Sequence, residues 1–181
     1  MSRAALTHEM SLRVPHSVED HAWLVELHND PVVLRNLTNP QPINLPNHLE
    51  WWAKVSANPC ERRLLFEVAG RRVGFTKFYS IDHANRCCVL GADIHKDFRG
   101  QGLAKPMWTM MLDMCFSPSM RMHRVGLTTA EYNQVAQKVY RDLGFMVEGR
   151  LTRSLYRDGR YWDQVCMYML DSDWPVEWRS A

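Results

Sequence analysis

The stretch Arg99-Gly100-Gln101-Gly102-Leu103-Ala104 lies between a strand-like segment and an amphipathic helix, and it decides how the chain is interpreted. Glycines at such a junction allow successive backbone N–H groups to converge on one point, and the following helix adds the positive end of its dipole there. Both effects favour a bound anion. The sequence therefore predicts a phosphate-binding turn at this position.

Two common phosphate-binding motifs do not match this turn. A Walker loop requires G-x-x-x-x-G-K-[ST], whereas Lys105 is followed here by Pro106 and lacks a correctly placed glycine pair. A dinucleotide-binding loop has a third glycine where this chain has Lys105, and it belongs to a βαβ unit rather than to an antiparallel meander. The form R-x-x-G-x-A instead resembles the pyrophosphate-binding segment of the GNAT superfamily of acyl-coenzyme A N-acyltransferases.

A second motif follows about thirty residues later, at the spacing found in GNAT proteins. Asn133-x-x-Ala136-x-x-x-Tyr140-x-x-x-Gly144-Phe145 resembles the GNAT helix that holds the coenzyme arm and supplies an acid. Asn133 and Tyr140 are two helical turns apart, about 10.5 Å, so both project from one face. We expect that face to line the coenzyme site, and Val135, Val139 and Leu143 to project from another face and pack against the rest of the protein.

The segments around these motifs alternate between strand and helix patterns. Strands are predicted at 10–14, 64–69, 73–81, 87–95 and 124–129, with a final pair from 145 onward; helices are predicted at 17–29, 46–58, 103–114 and 133–143, and at most a short one at 32–37. The fold class is α/β (α+β): a GNAT-like mixed, largely antiparallel sheet flanked by helices. The length of 181 residues favours a single N-acetyltransferase domain over 1–181, with 171–181 as a C-terminal extension.

Helical spacing also predicts which side chains face the core. The methionines at 107, 110, 111 and 114 form an apolar stripe with Leu103. In the helix that starts near Pro46, one side is expected to hold Leu49, Trp52, Ala53 and Ser56. At the C-terminus, the segment 174–178 is expected either to cover the core or to contact a second subunit.

Composition and charge exclude several classes of protein. The net charge of +2 is too balanced for a surface that binds nucleic acid or a membrane. No apolar run is long enough to span a bilayer and the N-terminus has no signal-peptide core, so we expect a cytoplasmic protein. Five scattered cysteines argue against disulfides, and neither they nor the histidines have metal-ligand spacing, so no metal is expected.

The resemblance extends from about Glu61 to Leu170 and is closest to the branch that holds ribosomal-protein and spermidine acetyltransferases. Glu148-Gly149-Arg150, the hairpin at 156–161 and Asp163 carry it. The resemblance implies acetyl-CoA as cosubstrate and direct attack by an amine, without a covalent enzyme intermediate.

The same resemblance implies the roles of individual residues. Backbone N–H groups of Arg99, Gly100, Gln101, Gly102, Leu103 and Ala104 bind the pyrophosphate. The strand end at Ile94 pairs with the pantetheine arm, Asn133 orients that arm, and Lys138 contacts a coenzyme phosphate unless it is simply a solvated helix lysine. Tyr140 is the acid that protonates the leaving thiolate, since a phenol pKa of about 10 keeps it protonated.

The general base departs from the family pattern. The strand position that often carries glutamate in GNAT enzymes is Val89 here. Because side chains alternate along a strand, Asp93 shares the face of Val89 and is our candidate base. His83, His95 and Tyr79 are weaker candidates, and an ordinary half-exposed aspartate is the alternative for Asp93.

The acceptor is the least determined feature. Polyamines require several carboxylates, yet residues 31–60 contain only Glu50, so spermidine is disfavoured. A short likeness at 29–35 and 48–52 to amino-sugar acetyltransferases narrowly favours a small-molecule amine such as an amino sugar. A protein N-terminal α-amine, and a non-catalytic acyl-CoA-binding module, remain as alternatives. We also expect a homodimer.

Overall fold

A computed structural model describes residues 9–175 of the chain. The strands are β1 (Met10–Arg13), β2 (Arg62–Val68), β3 (Arg71–Asp82), β4 (Cys87–Ile94), β5 (Arg124–Ala130), β6 (Met146–Arg157) and β7 (Arg160–Leu170). The helices are α1 (Val18–Asn29), α2 (Pro31–Asn36), α3 (Leu45–Ser56), α4 (Ala104–Phe116) and α5 (Gln134–Leu143). The expected order of elements is confirmed.

Seven strands form one sheet in the order β1-β2-β3-β4-β5-β7-β6. Every pair is antiparallel except β4 and β5, which are parallel. These two strands pair only from Cys87–Val89 to Arg124–Gly126. Both continue beyond that point, so the sheet opens into a cleft between residues 90–94 and residues 127–130.

Strand alternation divides the core into two layers. On one face, α4 packs its Met107, Trp108 and Met111 against the sheet, which confirms the methionine stripe. On the other face, Leu65 and Phe75 meet the helices α1 and α2. Because neighbouring residues of a strand point to opposite faces, the consecutive Leu64 and Leu65 belong to different layers.

The inward face of α3 differs from the expectation. Leu49, Ala53 and Ser56 are exposed, and only Trp52 of the four expected residues packs inward. The buried residue of this helix is His48, at 4% exposure. The error arose because histidine was not counted as a core residue, whereas here an aromatic cluster with Trp52 and His21 accepts it.

The C-terminal segment covers the core where it can be described. Trp174 is 8% exposed, packs in the larger core cluster, and donates its indole N–H to Asp113 Oδ1 at 2.8 Å. The rest of the expected extension, residues 176–181, lies outside the described residues. Between residues 9 and 175, no helix combines the length and apolar character needed to cross a membrane.

Candidate active site

The glycine turn at residues 99–104 lies at one end of the cleft. Gly100 and Gly102 have φ angles of +72° and +77°, and a Cβ added at either would meet no atom within 4 Å. The glycines are therefore required by backbone conformation rather than by crowding. Leu103 anchors the turn in the core at 7% exposure, and no side chain caps the N-terminus of α4. Unused N–H groups at such a terminus suit an anion.

Arg99 braces this turn through its side chain. Its Nε donates to the carbonyl of Ile94 at 3.0 Å, and its Nη2 donates to Asp30 Oδ1 at 2.8 Å. Gln101 Nε2 donates to the Asp97 carbonyl at 2.8 Å. These bonds tie the turn to the end of β4 and to the start of α2, so the backbone rather than these side chains is available to a ligand.

The helix α5 lines the other side of the cleft. Asn133 caps it, with Oδ1 accepting from the Ala136 N–H at 3.2 Å. Lys138 is exposed and forms an i,i+4 ion pair with Asp142 at 2.6 Å, the arrangement of a solvated helix lysine. Its contact with a coenzyme phosphate stays a prediction.

The expected division of α5 into one face that packs and another face that lines the site is wrong. Val135 is 79% exposed, whereas Tyr140 itself packs with the core. The first turn of the helix lies at the rim of the cleft, where a valine has nothing to pack against. The interior face of α5 is formed by Val139, Tyr140 and Leu143.

Tyr140 occupies the position where the two layers meet the cleft. Its ring lies 4.8 Å from that of Trp108 and 5.9 Å from that of Phe145. Burial raises the pKa of its phenol, and the neighbouring Asp93 and Tyr79 raise it further. The phenol is therefore protonated at neutral pH, as a proton donor must be.

Asp93 lies near the end of β4, on the cleft side of the sheet. Its Oδ2 accepts from Lys77 Nζ at 2.5 Å, and its side chain is 17% exposed. Val89, the position where a glutamate was sought, lies at the last paired residue of β4 and β5. Asp93 is thus a carboxylate within electrostatic range of Tyr140, and it carries a lysine partner that the sequence did not indicate.

A cavity of about 350 Å³ extends from Asp93 between the sheet and the helices α1–α3. Apolar atoms form most of its surface, although six of the thirteen lining residues have polar or charged side chains. It is lined by Leu24, Leu27, His28, Val33, Leu37, Ile43, Asn47, His48, Trp51, Arg63, Phe75, Lys77 and Asp93. A pocket of this size and lining is typical of a small-molecule site.

Two features of this cavity were missed by sequence reasoning. Arg63 lines it from β2 with a side chain only 12% exposed, and its guanidinium forms an ion pair with Glu61. His48 lies opposite, in contact with His21 at 3.1 Å, and burial is the main reason that its pKa falls from 6.5 to about 4. Arg63 directly precedes a run of five buried strand residues, yet only the strand register shows that it lies beside Lys77 on the cavity face.

The β6–β7 hairpin holds one wall of the cavity in place. Arg35 of α2 donates to Asp158 Oδ2 at 2.6 Å, and Arg157 donates to the carbonyls of Leu37 and Thr38. Both positions 158 and 159 have positive φ, which confirms the predicted turn. The hairpin therefore fixes the segment after α2, whose Leu37 lines the cavity.

Two of the three weaker candidates for a base, His83 and His95, lie elsewhere, whereas Tyr79 is within electrostatic range of Tyr140. His83 is exposed in the turn between β3 and β4. His95 is 5% exposed and stacks on Trp23 at 5.3 Å, away from the lining of the cavity. Within the described part of the chain, no three His, Cys, Asp or Glu side chains are grouped to hold a metal ion.

Comparison with known proteins identifies the family. The model of the acetyltransferase (GNAT) domain matches residues 10–146. The chain is 25% identical over 173 residues to spermidine N(1)-acetyltransferase of Escherichia coli K12, covering 96% of this chain and 92% of that one. It is 28% identical over 120 residues to a protein of Bacillus subtilis named as a ribosomal N-acetyltransferase, covering 66% and 64%.

A solved structure supports the same assignment. Spermidine N-acetyltransferase from Vibrio cholerae, in complex with CoA and spermine, superposes with a TM-score of 0.85 at 25% identity, covering 91% of this chain and 96% of that one. The expected fold class and the resemblance to the branch of spermidine and ribosomal-protein acetyltransferases are both confirmed. The chain belongs to the GNAT family of acetyltransferases.

Proposed function

We propose that this protein transfers the acetyl group of acetyl-CoA to the primary amine of a small molecule bound in the cavity beside Asp93. One observation carries the proposal: Asp93 lies in the cavity lining and also within electrostatic reach of the protonated Tyr140. This supports a proton acceptor in the cavity acting together with a proton donor that lies within its electrostatic range.

The chain's residues take the following roles. Bound acetyl-CoA supplies the acetyl group. The neutral acceptor nitrogen bonds to the acetyl carbon, the carbon–sulfur bond breaks, and Tyr140 gives its phenolic proton to the departing sulfur. The proton that the acylated nitrogen then loses returns to the Tyr140 oxygen, so the phenol is restored. A primary amine has a pKa of about 10.4 and must first lose a proton, for which Asp93, directly or through water, is the acceptor.

The coenzyme lies in the cleft between β4 and β5. The backbone N–H groups of residues 99–104 bind its pyrophosphate, and the edge of β4 near Ile94 pairs with its pantetheine arm. Asn133 and Lys138 contact the arm and a phosphate, respectively. The open glycine turn and the uncapped N-terminus of α4 support this placement.

The acceptor has a largely apolar body, because most of the cavity lining is apolar. The Escherichia coli and Vibrio cholerae proteins are spermidine acetyltransferases, and the extended cationic chain of spermidine would require carboxylates along its length. Among residues 9–175, Asp93 is the only carboxylate in the cavity lining, and Lys77 already neutralises it. The amino-sugar preference stays a prediction, and so does the protein N-terminus.

The test begins with calorimetric titration of acetyl-CoA, followed by thiol release on a panel of amino acids, apolar amines, amino sugars, polyamines and peptides with free N-termini. Tyr140→Phe should leave acetyl-CoA binding intact and lower kcat by about 10²- to 10⁴-fold on every active amine. Tyr156→Phe, in the exposed hairpin, is the matched control. Unchanged turnover in Tyr140→Phe would remove Tyr140 as the acid, and binding without turnover on any amine would favour the non-catalytic module.

The homodimer also stays a prediction. Val147 and Leu151 are 52% and 48% exposed on β6, the last strand of the sheet. An apolar edge strand is a natural surface for a second copy. Light scattering after size exclusion should give twice the chain mass, and Leu151→Lys should reduce it to the monomer mass; a wild-type protein that runs as a monomer would contradict the prediction.

A further inference from the structure

Arg63 is a buried cation in the acceptor cavity to which the proposed reaction assigns no task. The residue pairs directly with Lys77 across β2 and β3, so both side chains rise from the same face of the sheet. Both line the cavity. Arg63 is the more enclosed of the two, with 12% of its side chain exposed against 22%.

The guanidinium of Arg63 is only partly satisfied by the protein. Its Nη2 forms an ion pair with the carboxylate of Glu61. Its Nε and Nη1 are buried and have no hydrogen-bond partner among residues 9–175. Buried charged donors without acceptors are costly and uncommon in folded proteins, so two on one side chain that lines a cavity indicate that a ligand supplies the acceptor.

The charges of the cavity point to the sign of that ligand group. Lys77 and Asp93 neutralise each other, which leaves Arg63 as the remaining fixed charge in the lining. The two histidines of the lining are His28 and His48, and burial keeps His48 neutral. Glu61 balances Arg63 from outside the lining, but it does not occupy the two free donors.

We propose that Arg63 binds a carboxylate of the acceptor, so that the substrate is an apolar amino acid or a close analogue rather than a polyamine. The proposal rests on the proposed function and names the substrate class of the same site. A carboxylate suits a single guanidinium in an apolar cavity, whereas a doubly charged phosphate would require more donors than this lining offers. The apolar lining receives the side chain, and the amine faces Asp93.

The first test uses a matched pair of acceptors on the wild-type protein. Leucine and 3-methylbutylamine differ only in the carboxylate. We expect kcat/KM for leucine to exceed that for 3-methylbutylamine by about 10- to 100-fold, the range for a hydrogen bond to a charged group. Equal values, a preference for the decarboxylated amine, or a higher value for spermidine would overturn the proposal without any variant.

The second test assigns the effect to Arg63. Arg63→Gln should raise KM for leucine by about 10- to 100-fold and leave KM for 3-methylbutylamine unchanged. Arg63→Lys, which keeps the charge, should recover part of the loss, and it replaces Arg63→Gln if that variant does not fold. Arg62→Gln changes the exposed neighbour and is the matched control. An equal loss on both acceptors in Arg63→Gln would mean a structural role and overturn the proposal.

A binding measurement separates this proposal from the proposed function. Leucine is titrated into the protein–CoA complex by calorimetry, with 3-methylbutylamine as the comparison. Leucine binding that is lost in Arg63→Gln supports the carboxylate site even if no turnover is seen, in which case the proposed reaction alone fails. If amines are acetylated but leucine and 3-methylbutylamine bind equally well, the carboxylate site is wrong and the proposed reaction still stands.

Discussion

The two sides of the cleft are built differently. The side that we propose for the coenzyme, called the coenzyme side below, consists of contiguous backbone: one glycine turn at residues 99–104 and one helix start at Asn133. The acceptor side is assembled from single side chains of α1, α2, α3, β2, β3 and β4, separated by up to 69 positions in the chain. Backbone geometry is specified by short motifs, whereas a cavity of scattered side chains is specified only by the tertiary fold. Variants that act on one side and spare the other test this difference.

The largest effect is expected from Asp20, which ties together the frame of the acceptor side. Its carboxylate is 3% exposed and accepts from Arg13 at 2.6 and 2.9 Å and from Arg72 at 3.2 Å. Asp20→Asn removes the buried negative charge that these two partly exposed arginines share, leaves Arg13 with Glu67 alone, and should lower the free energy of unfolding by about 3 kcal/mol. Urea denaturation measures the loss, and Asp142→Asn in the exposed α5 pair is the control.

The same carboxylate predicts a dependence on acid. The hydrogen bonds from Arg13 hold the pKa of Asp20 well below its usual 3.8. Its stabilising contribution is therefore present at neutral pH and is lost as the pH falls below about 4. In Asp20→Asn the free energy of unfolding should therefore fall less in this acid range. A pH dependence equal to that of the wild type would contradict the role given to Asp20.

His48 predicts a separate pH dependence on the acceptor side. Its pKa is lowered from 6.5 to about 4, so the unfolded chain binds more protons than the folded one between these values. Stability should therefore fall by about 3 kcal/mol as the pH is lowered from 6.5 to 4. His48→Gln should flatten this slope in urea titrations at stepped pH, whereas His83→Gln, at an exposed turn, should not. If the free energy of unfolding of His48→Gln changed with pH as steeply as that of the wild type, groups other than His48 would be responsible.

Gly102 tests the coenzyme side alone. Its φ of +77° is strained for any residue with a Cβ, so Gly102→Ala should cost about 1 to 2 kcal/mol or shift the turn. We expect acetyl-CoA affinity to fall in calorimetry while leucine binding to the protein is spared. Gly149→Ala has equal space and no positive φ, so it is the matched control. An equal loss of acetyl-CoA affinity in both variants would show that the turn has no special role in binding the coenzyme.

The same contrast explains what the sequence could predict. The glycine turn and the buried methionines follow local rules of φ and period, and both were predicted. The start of α5 was predicted to within one residue, with Asn133 as its first residue rather than its N-cap. His48 was missed because its burial depends on His21 and Trp52, which no local rule brings together. Arg63 was missed for a related reason: only strand register places it beside Lys77 and against the cavity. The packing of Tyr140 on Trp108 likewise depends on how α4 and α5 meet.

The smallest effect is expected at the hairpin that holds the wall of the cavity. Asp158 and Arg35 are 57% and 42% exposed, and an ion pair at such a site contributes at most about 1 kcal/mol because water and salt screen it. Asp158→Asn should therefore change stability by less than about 1 kcal/mol. Arg157 still holds Leu37 and Thr38 through backbone carbonyls, so KM for the acceptor should rise only slightly.

Arg157→Ala removes those bonds and should raise acceptor KM more than Asp158→Asn does, with acetyl-CoA affinity unchanged in both. If the two variants raised KM equally, the exposed ion pair rather than the backbone contacts would hold the wall, and the acceptor side would depend on surface charge more than on packing.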